Sequence, residues 1–274
     1  MGMSSVTPLL LLKLLLVPSF LLLITLASNR WGPAFGGWLA GLPLVTGPVL
    51  LFLAIEQGPP FAAKAAVATL SAVLAFVAFS CTYARAAQRL PWQLCLLLAW
   101  LAWSVAALAL SALPAFPPLA CGLALIALNA APRFLPPLPG LSSSRLAPLP
   151  PREVSRSELA CRMLAGAALT VAVTGLATLV GSAWSGLFAG FPVLGSVLAT
   201  FAHRCEGNSR ATLLLGGMLR GVYSIVAFCF ALALALPNLS IPLSFGLALL
   251  AATSITATQL LLIEGRMPKL GEDR

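Results

Sequence analysis

Charge is what this sequence has least of. Only 8% of its residues are charged, whereas 60% are hydrophobic. A water-soluble domain carries about 25% charged residues, so the chain lacks the polar side chains needed to cover a globule in water. Apolar runs near the roughly 20 residues that cross a bilayer recur along it, which points to an all-α polytopic membrane protein. Histidine occurs once, at His203, and the six cysteines (Cys81, Cys95, Cys121, Cys161, Cys205 and Cys229) contain no C-x-x-C pair. A histidine-based metal centre is thereby excluded. The scattered cysteines read as small buried helix residues, with neither a disulfide framework nor a metal site. No carboxylate falls at mid-depth in an apolar run, so the paired acids or nucleophile–base pairs of an intramembrane enzyme are missing. Neither enzymatic activity nor a cofactor is expected.

The net charge of +9 is read as a record of orientation, not of nucleic-acid binding, because Lys and Arg mark the cytoplasmic side of membrane proteins. A cleavable signal is the competing reading of the N-terminus, since Lys13 precedes the apolar stretch 14–27. No A-x-A-like cleavage site follows it, and the next apolar segment begins almost at once. About nine spans are predicted, at roughly 8–28, 34–56, 62–83, 91–112, 116–132, 158–180, 184–203, 211–236 and 239–264. The fifth is short, opens with Pro117 and Pro118, and carries Asn129. After it comes "PRFLPPLPGLSSSRLAPLPPREVSRSE", too rich in Pro, Ser and Arg for a packed helix and therefore a linker.

The basic residues test that count. With nine crossings, one side receives Arg30, Arg85, Arg89, Arg133, Arg145, Arg152, Arg156, Arg162, Arg204, Arg210, Arg266, Lys269 and Arg274. The other receives Lys64 alone, and Lys13 and Arg220 fall inside spans. The bias places the N-terminus outside and the C-terminus in the cytoplasm of a bacterial inner membrane. If 116–132 did not cross, Arg30, Arg85 and Arg89 would lie opposite most of the other basic residues, and the rule would fail in the first half.

The stretch "GGWLAGLPLVTGPVLLF" at 36–52 has a near copy, "SGLFAGFPVLGSVLATF", at 185–201. At a shift of 149 residues, Thr25 meets Thr174 and Gly32 meets Gly181. Gly37, Ala40, Gly41 and Pro43 meet Gly186, Ala189, Gly190 and Pro192. Phe52, Gly58 and Val77-Ala78-Phe79 meet Phe201, Gly207 and Val226-Ala227-Phe228, and Lys13 falls on Arg162. Spans one to four thus correspond to spans six to nine, five crossings apart. Five is odd, so the second copy is expected upside down in the bilayer, as in inverted-repeat transporters. The predicted plan is a first four-helix repeat at 1–112, a connecting transmembrane helix at 113–132, a cytoplasmic linker at 133–157, an inverted four-helix repeat at 158–265 and a cytoplasmic tail at 266–274.

The second copy, "AGFPVLGSVLATFAHRCEG" at 189–207 followed by "GGMLRGVYSIVAF" at 216–228, resembles the GlpM family of small inner-membrane proteins. The elements that carry the resemblance are Phe191-Pro192, Ala202-His203 and Gly217-Met218. Members are about half this length and are regarded as dual-topology proteins that can pair antiparallel. The resemblance implies a fused, duplicated pair, with the extra span preserving the antiparallel arrangement. It also implies an association with exopolysaccharide production.

Both copies carry G-x-x-x-G, at Gly37/Gly41 and Gly186/Gly190, a spacing that lets two helices approach closely. Pro43 and Pro192 follow two residues later, each removing a backbone hydrogen bond inside a span. Such broken helices could line a solute site at a pseudo-twofold axis between spans two and seven, with Pro43, Thr46, Pro192, Ser196 and Arg220 as its candidate residues. Tight packing of two kinked helices without a ligand is the other reading. Arg220 could face a cavity or snorkel towards the interface, while Lys13 and Arg162 are expected to snorkel. Glu56, His203 and Glu206 are candidate gate residues, the two carboxylates expected to sit solvated at the interface. Two functions follow: a transporter or channel for a small solute, or a membrane scaffold or accessory subunit of an envelope or exopolysaccharide system. The expected partners are the lipid bilayer, a small solute and, for the second function, a membrane protein. A monomer or weak homo-oligomer is expected, with no nucleic acid.

Overall fold

The computed structural model describes residues 6–111, 116–137, 154–180 and 191–264. Among the described residues every regular element is helical. In chain order these are α1 (Val6–Trp31), α2 (Pro33–Ala40), α3 (Thr46–Gln57), α4 (Pro59–Ala86), α5 (Trp92–Ser111), α6 (Pro117–Phe134), α7 (Arg156–Val180), α8 (Val193–Glu206), α9 (Asn208–Ala235) and α10 (Ile241–Glu264). Several start where the sequence dictates. α2, α4 and α6 begin with proline in the first turn, where its missing N–H costs nothing and its φ is already helical.

Among the described residues six helices, α1, α4, α5, α7, α9 and α10, are long and apolar enough to cross a bilayer. This is the architecture of a multi-pass membrane protein. The stretch predicted as one span over 34–56 is instead two short helices, α2 and α3, separated at residues 41–45.

α4 and α9, 28 residues each, form the centre. They pack against one another, and Val73, Val77, Val222 and Val226 belong to one buried cluster. α5 lies on α4, and α10 on α9; α6 touches both central helices, while α1 packs against α7 and α2. The end of α6 fixes the relative direction of the central pair. The Phe134 ring takes the Arg85 guanidinium at 5.1 Å, near the end of α4. The adjacent Leu135 lies against Gly216, near the start of α9. The end of α4 and the start of α9 therefore share one end of the bundle, and the two helices run in opposite directions.

Helix limits recur at the 149-residue shift. α4 spans Pro59–Ala86 and α9 Asn208–Ala235; α5 begins at Trp92 and α10 at Ile241. The joints before α4 and α9 are Gly58 (φ 88°, ψ 162°) and Gly207 (φ 92°, ψ 172°). Only glycine occupies that region without strain, which explains why both copies keep it.

Polar side chains at the helix surfaces bond within their own helices. Thr69 donates to the Ala65 carbonyl, Asn129 to Leu125, Thr253 to Leu249 and Thr258 to Ser254. Each hydroxyl or amide thereby has a partner without water.

Candidate functional site

The two prolines build the same backbone turn. The Leu44 N–H donates to the Leu42 carbonyl across Pro43 at 2.8 Å, and the Val193 N–H donates to the Phe191 carbonyl across Pro192 at 2.8 Å. Pro192 has φ −78° and ψ 62°, the geometry of an inverse γ-turn. The first helical bond then recurs: Gly47 N–H bonds the Pro43 carbonyl at 2.9 Å, and Ser196 N–H bonds that of Pro192 at 2.8 Å. Pro43 thus lies in the turn between α2 and α3, and Pro192 in the turn that leads into α8.

The first break is held by a close crossing of α2 and α9. A methyl on Gly37 would collide with the Leu214 carbonyl, and one on Gly41 would come within 2.8 Å of the Gly221 Cα. Gly217 reciprocates, facing the Ala34 carbonyl. Gly37/Gly41 on one helix thus meets Gly217/Gly221 on the other, backbone against backbone. Without a hydrophobic force between helices in lipid, such contact is what holds them. The crossing is tied further by Gln259 of α10, whose side chain accepts from Trp38 Nε1 at 2.9 Å and donates to the Arg220 carbonyl at 2.9 Å. Gly186 and Gly190 lie outside the described residues.

The second turn leads into a polar seam along α8. Ser196 is buried and accepts from Trp100 Nε1 at 2.9 Å. Phe191, just before the turn, sits against the rings of Trp100 and Trp103 at 5.6 and 5.1 Å. Two turns along, His203 presents its ring edge-on to Tyr83 at 6.0 Å, with Nδ1 3.5 Å from the Tyr83 hydroxyl. Met218 of α9 links the breaks, its carbonyl against Gly41 and its side chain beside Gly195. Gly41, two residues before Pro43, and Gly195, three after Pro192, therefore both touch one methionine.

Beyond His203 lies a charge cluster. Arg162 of α7 donates to Glu158 at 2.6 Å and to Glu206 at 3.3 Å, and Arg210 of α9 donates to Glu206 at 2.7 Å. The Arg162 guanidinium also lies over the Phe201 ring at 5.4 Å. Arg162 is 2% exposed and Glu206 7%, so two expectations are corrected. Arg162 does not snorkel, and Glu206 is not a solvated interfacial carboxylate. Each finds its counter-charge across helices, which makes burial tolerable.

The remaining candidates are dispersed. Arg220 is exposed on α9, Thr46 is half-buried at the start of α3, and Glu56 is exposed near the end of that helix. None of the three joins the α8 seam. Trp100, Tyr83, Glu158 and Gln259 escaped the sequence reading because lone polar residues carry no periodic signal. Gly217/Gly221 had a legible spacing, but spacing does not name the facing helix. No family model, curated protein or solved structure matches the chain.

Proposed function

We propose that the chain is a membrane transporter or channel-like protein for a small solute, built from two inverted four-helix repeats joined by α6. The reading rests above all on the paired proline turns, whose backbone hydrogen bonds recur at the 149-residue shift. Further bonds follow the same register. Arg89 to Ala86 matches Asn238 to Ala235, and Leu90 to Ala86 matches Leu239 to Ala235. Inversion is supported by the antiparallel run of α4 and α9, which are equivalent helices of the two copies. The nine-crossing count is supported by length. α2 and α3 together have 20 residues and would reach about 30 Å at 1.5 Å per residue, close to the ~30 Å hydrocarbon core.

In this reading the solute passes beside the two breaks, near Pro43, Thr46, Pro192, Ser196 and Met218. The Glu158–Arg162–Glu206–Arg210 cluster is the cytoplasmic gate, with His203 between gate and seam. Arg220 lies on the periphery and would attract an anion from there. The second reading, a non-transporting scaffold or accessory subunit of an envelope or exopolysaccharide system, draws on the GlpM resemblance. It is favoured by the way the Met218 side chain occupies the space beside Gly195.

Cysteine accessibility in intact bacteria separates these possibilities from a parallel duplication. Glu56 and Cys205 are equivalent at the 149-residue shift, and both are exposed. In a background depleted of the other cysteines, Glu56→Cys should react with an impermeant maleimide from outside, and Cys205 only after permeabilisation. Labelling of both from one side would refute the inverted repeat. Solute flux that survives replacement of both Pro43 and Pro192 by Ala would refute the assigned pathway.

A further inference from the structure

A groove of about 530 Å³ opens between α4, α5 and α6. Its volume falls within the range of ligand-sized cavities, about 300–1,000 Å³. Leu74, Val77, Ala106 and Leu110 line one part of it, and Thr82, Arg85 and Phe134 the other. Along α4 it runs from Leu74 to Arg85, about 16 Å at 1.5 Å per residue. That is about half the ~30 Å hydrocarbon core, the depth of one leaflet. Its apolar part therefore matches an acyl chain in length and chemistry.

The charge lies at one end. Arg85 is fixed over the Phe134 ring at 5.1 Å, Arg89 follows one turn later, and Arg133 immediately precedes Phe134; all three are exposed. None of them has a carboxylate partner among the described residues. An unpaired arginine lining one end of an apolar groove between membrane helices, with Arg89 and Arg133 close to its lining residues in sequence, complements a phosphate headgroup with its chain inserted. We propose that this groove binds one anionic phospholipid, the acyl chain along α4 and the phosphate on Arg85, Arg89 and Arg133. The site lies on the α4–α5–α6 face, away from the proline turns, and does not depend on the transport reading.

The test is native mass spectrometry of the full chain in detergent, titrated with dioleoylphosphatidylglycerol or with dioleoylphosphatidylcholine. The wild type should retain the glycerol lipid at least about fivefold more tightly. Arg85→Gln should remove about fivefold of that affinity, the equivalent of about 1 kcal/mol for one basic residue at a membrane surface. Arg133→Gln, at an exposed position that does not hold the helices together, should act in the same direction. Arg85→Lys should keep the preference. Ala109→Phe, which fills the groove, should weaken both lipids alike. Equal retention of the two lipids, or an unchanged preference in both glutamine variants, would overturn the proposal. So would thermal protection by inorganic phosphate equal to that by the lipid, because the arginines would then serve a free anion.

Discussion

The crossing of α2 and α9 makes a prediction whose sign runs against helix propensity. An alanine at Gly221 would place its Cβ 2.8 Å from the Gly41 Cα and against the Trp38 carbonyl. Ordinary contact begins near 3.4 Å, so the two backbones must part by at least about 0.6 Å. A gap of 0.5–1 Å forfeits a quarter to a half of the dispersion energy at a contact, and neither backbone can rotate away as a side chain would. Overpacking of this kind costs about 1–3 kcal/mol. Alanine itself favours a helix interior by about 1 kcal/mol over glycine, leaving Gly221→Ala about 0–2 kcal/mol less stable than wild type and about 1–3 kcal/mol below a glycine replaced without a clash. Gly246 in α10 is the control, because a Cβ there meets nothing within 4 Å. Gly246→Ala should match the wild type or exceed it by up to about 1 kcal/mol. Denaturant unfolding in mild detergent, followed by tryptophan fluorescence, reads both, with Trp38 placed at the crossing. Equal stability of the two variants would mean that α2 and α9 do not meet at these glycines.

Three further outcomes follow from single contacts. A double-mutant cycle of Trp100→Phe and Ser196→Ala should give a coupling of about 0.6 kcal/mol and at most about 1.7, the average and the maximum for hydrogen bonds between membrane helices; additivity would show that the 2.9 Å bond is not made. Glu206→Gln leaves two arginines without their shared carboxylate and should cost about 3 kcal/mol or more in unfolding experiments. Glu56→Gln, at an exposed site, should stay within about 0.5 kcal/mol, and equal losses would dissolve the cluster. Gly207→Ala forces a side chain into a region at φ 92° that only glycine tolerates, a cost of about 1–3 kcal/mol; a neutral melting shift would place the joint elsewhere.

The helices were legible where composition and punctuation agree. Gly58 and Gly207 sit at a required positive φ, and prolines open α2, α4 and α6, so these joints could be read from residue type alone. The 34–56 segment was harder. Its hydropathy is continuous, and only the Pro43–Pro48 stretch signalled the division into α2 and α3. Within the candidate site, residues that shape backbone were legible and residues that pair across space were not. Arg162 and Glu206 stand 44 positions apart, and Trp100 and Ser196 stand 96 apart. Nothing local in either segment records which helix faces will meet. Read alone, each charge belongs at an interface, and only its partner makes burial affordable.

The two halves share their backbone turns but not their polar side chains. At the 149-residue shift, Ser196 and His203 of α8 correspond to Gly47 and Ala54 of α3, so the seam has only one copy. Glu158, Glu206 and Arg210 likewise correspond to Leu9, Gln57 and Phe61, leaving the equivalent end with no such ion-pair cluster. Under the proposed inverted repeat, the two access states would exchange the roles of the halves. A symmetric sequence would hold both states at equal energy. Here the buried pairs of Arg162 and Arg210 with Glu206 stabilise whichever state keeps α7, α8 and α9 together at their charged ends. Opening that end separates charges 2% and 7% exposed, at a cost of several kcal/mol unless water or solute replaces the partner. A few kcal/mol suffices to leave the second state a minor one. Under that proposal the resting protein would be closed at the end that carries the cluster, and Glu206→Gln should shift the balance towards opening there. Increased maleimide labelling of Cys205 in that variant, with labelling at Glu56→Cys unchanged or reduced, is the expected signature. An unchanged ratio would mean that the cluster stabilises the fold without choosing between states.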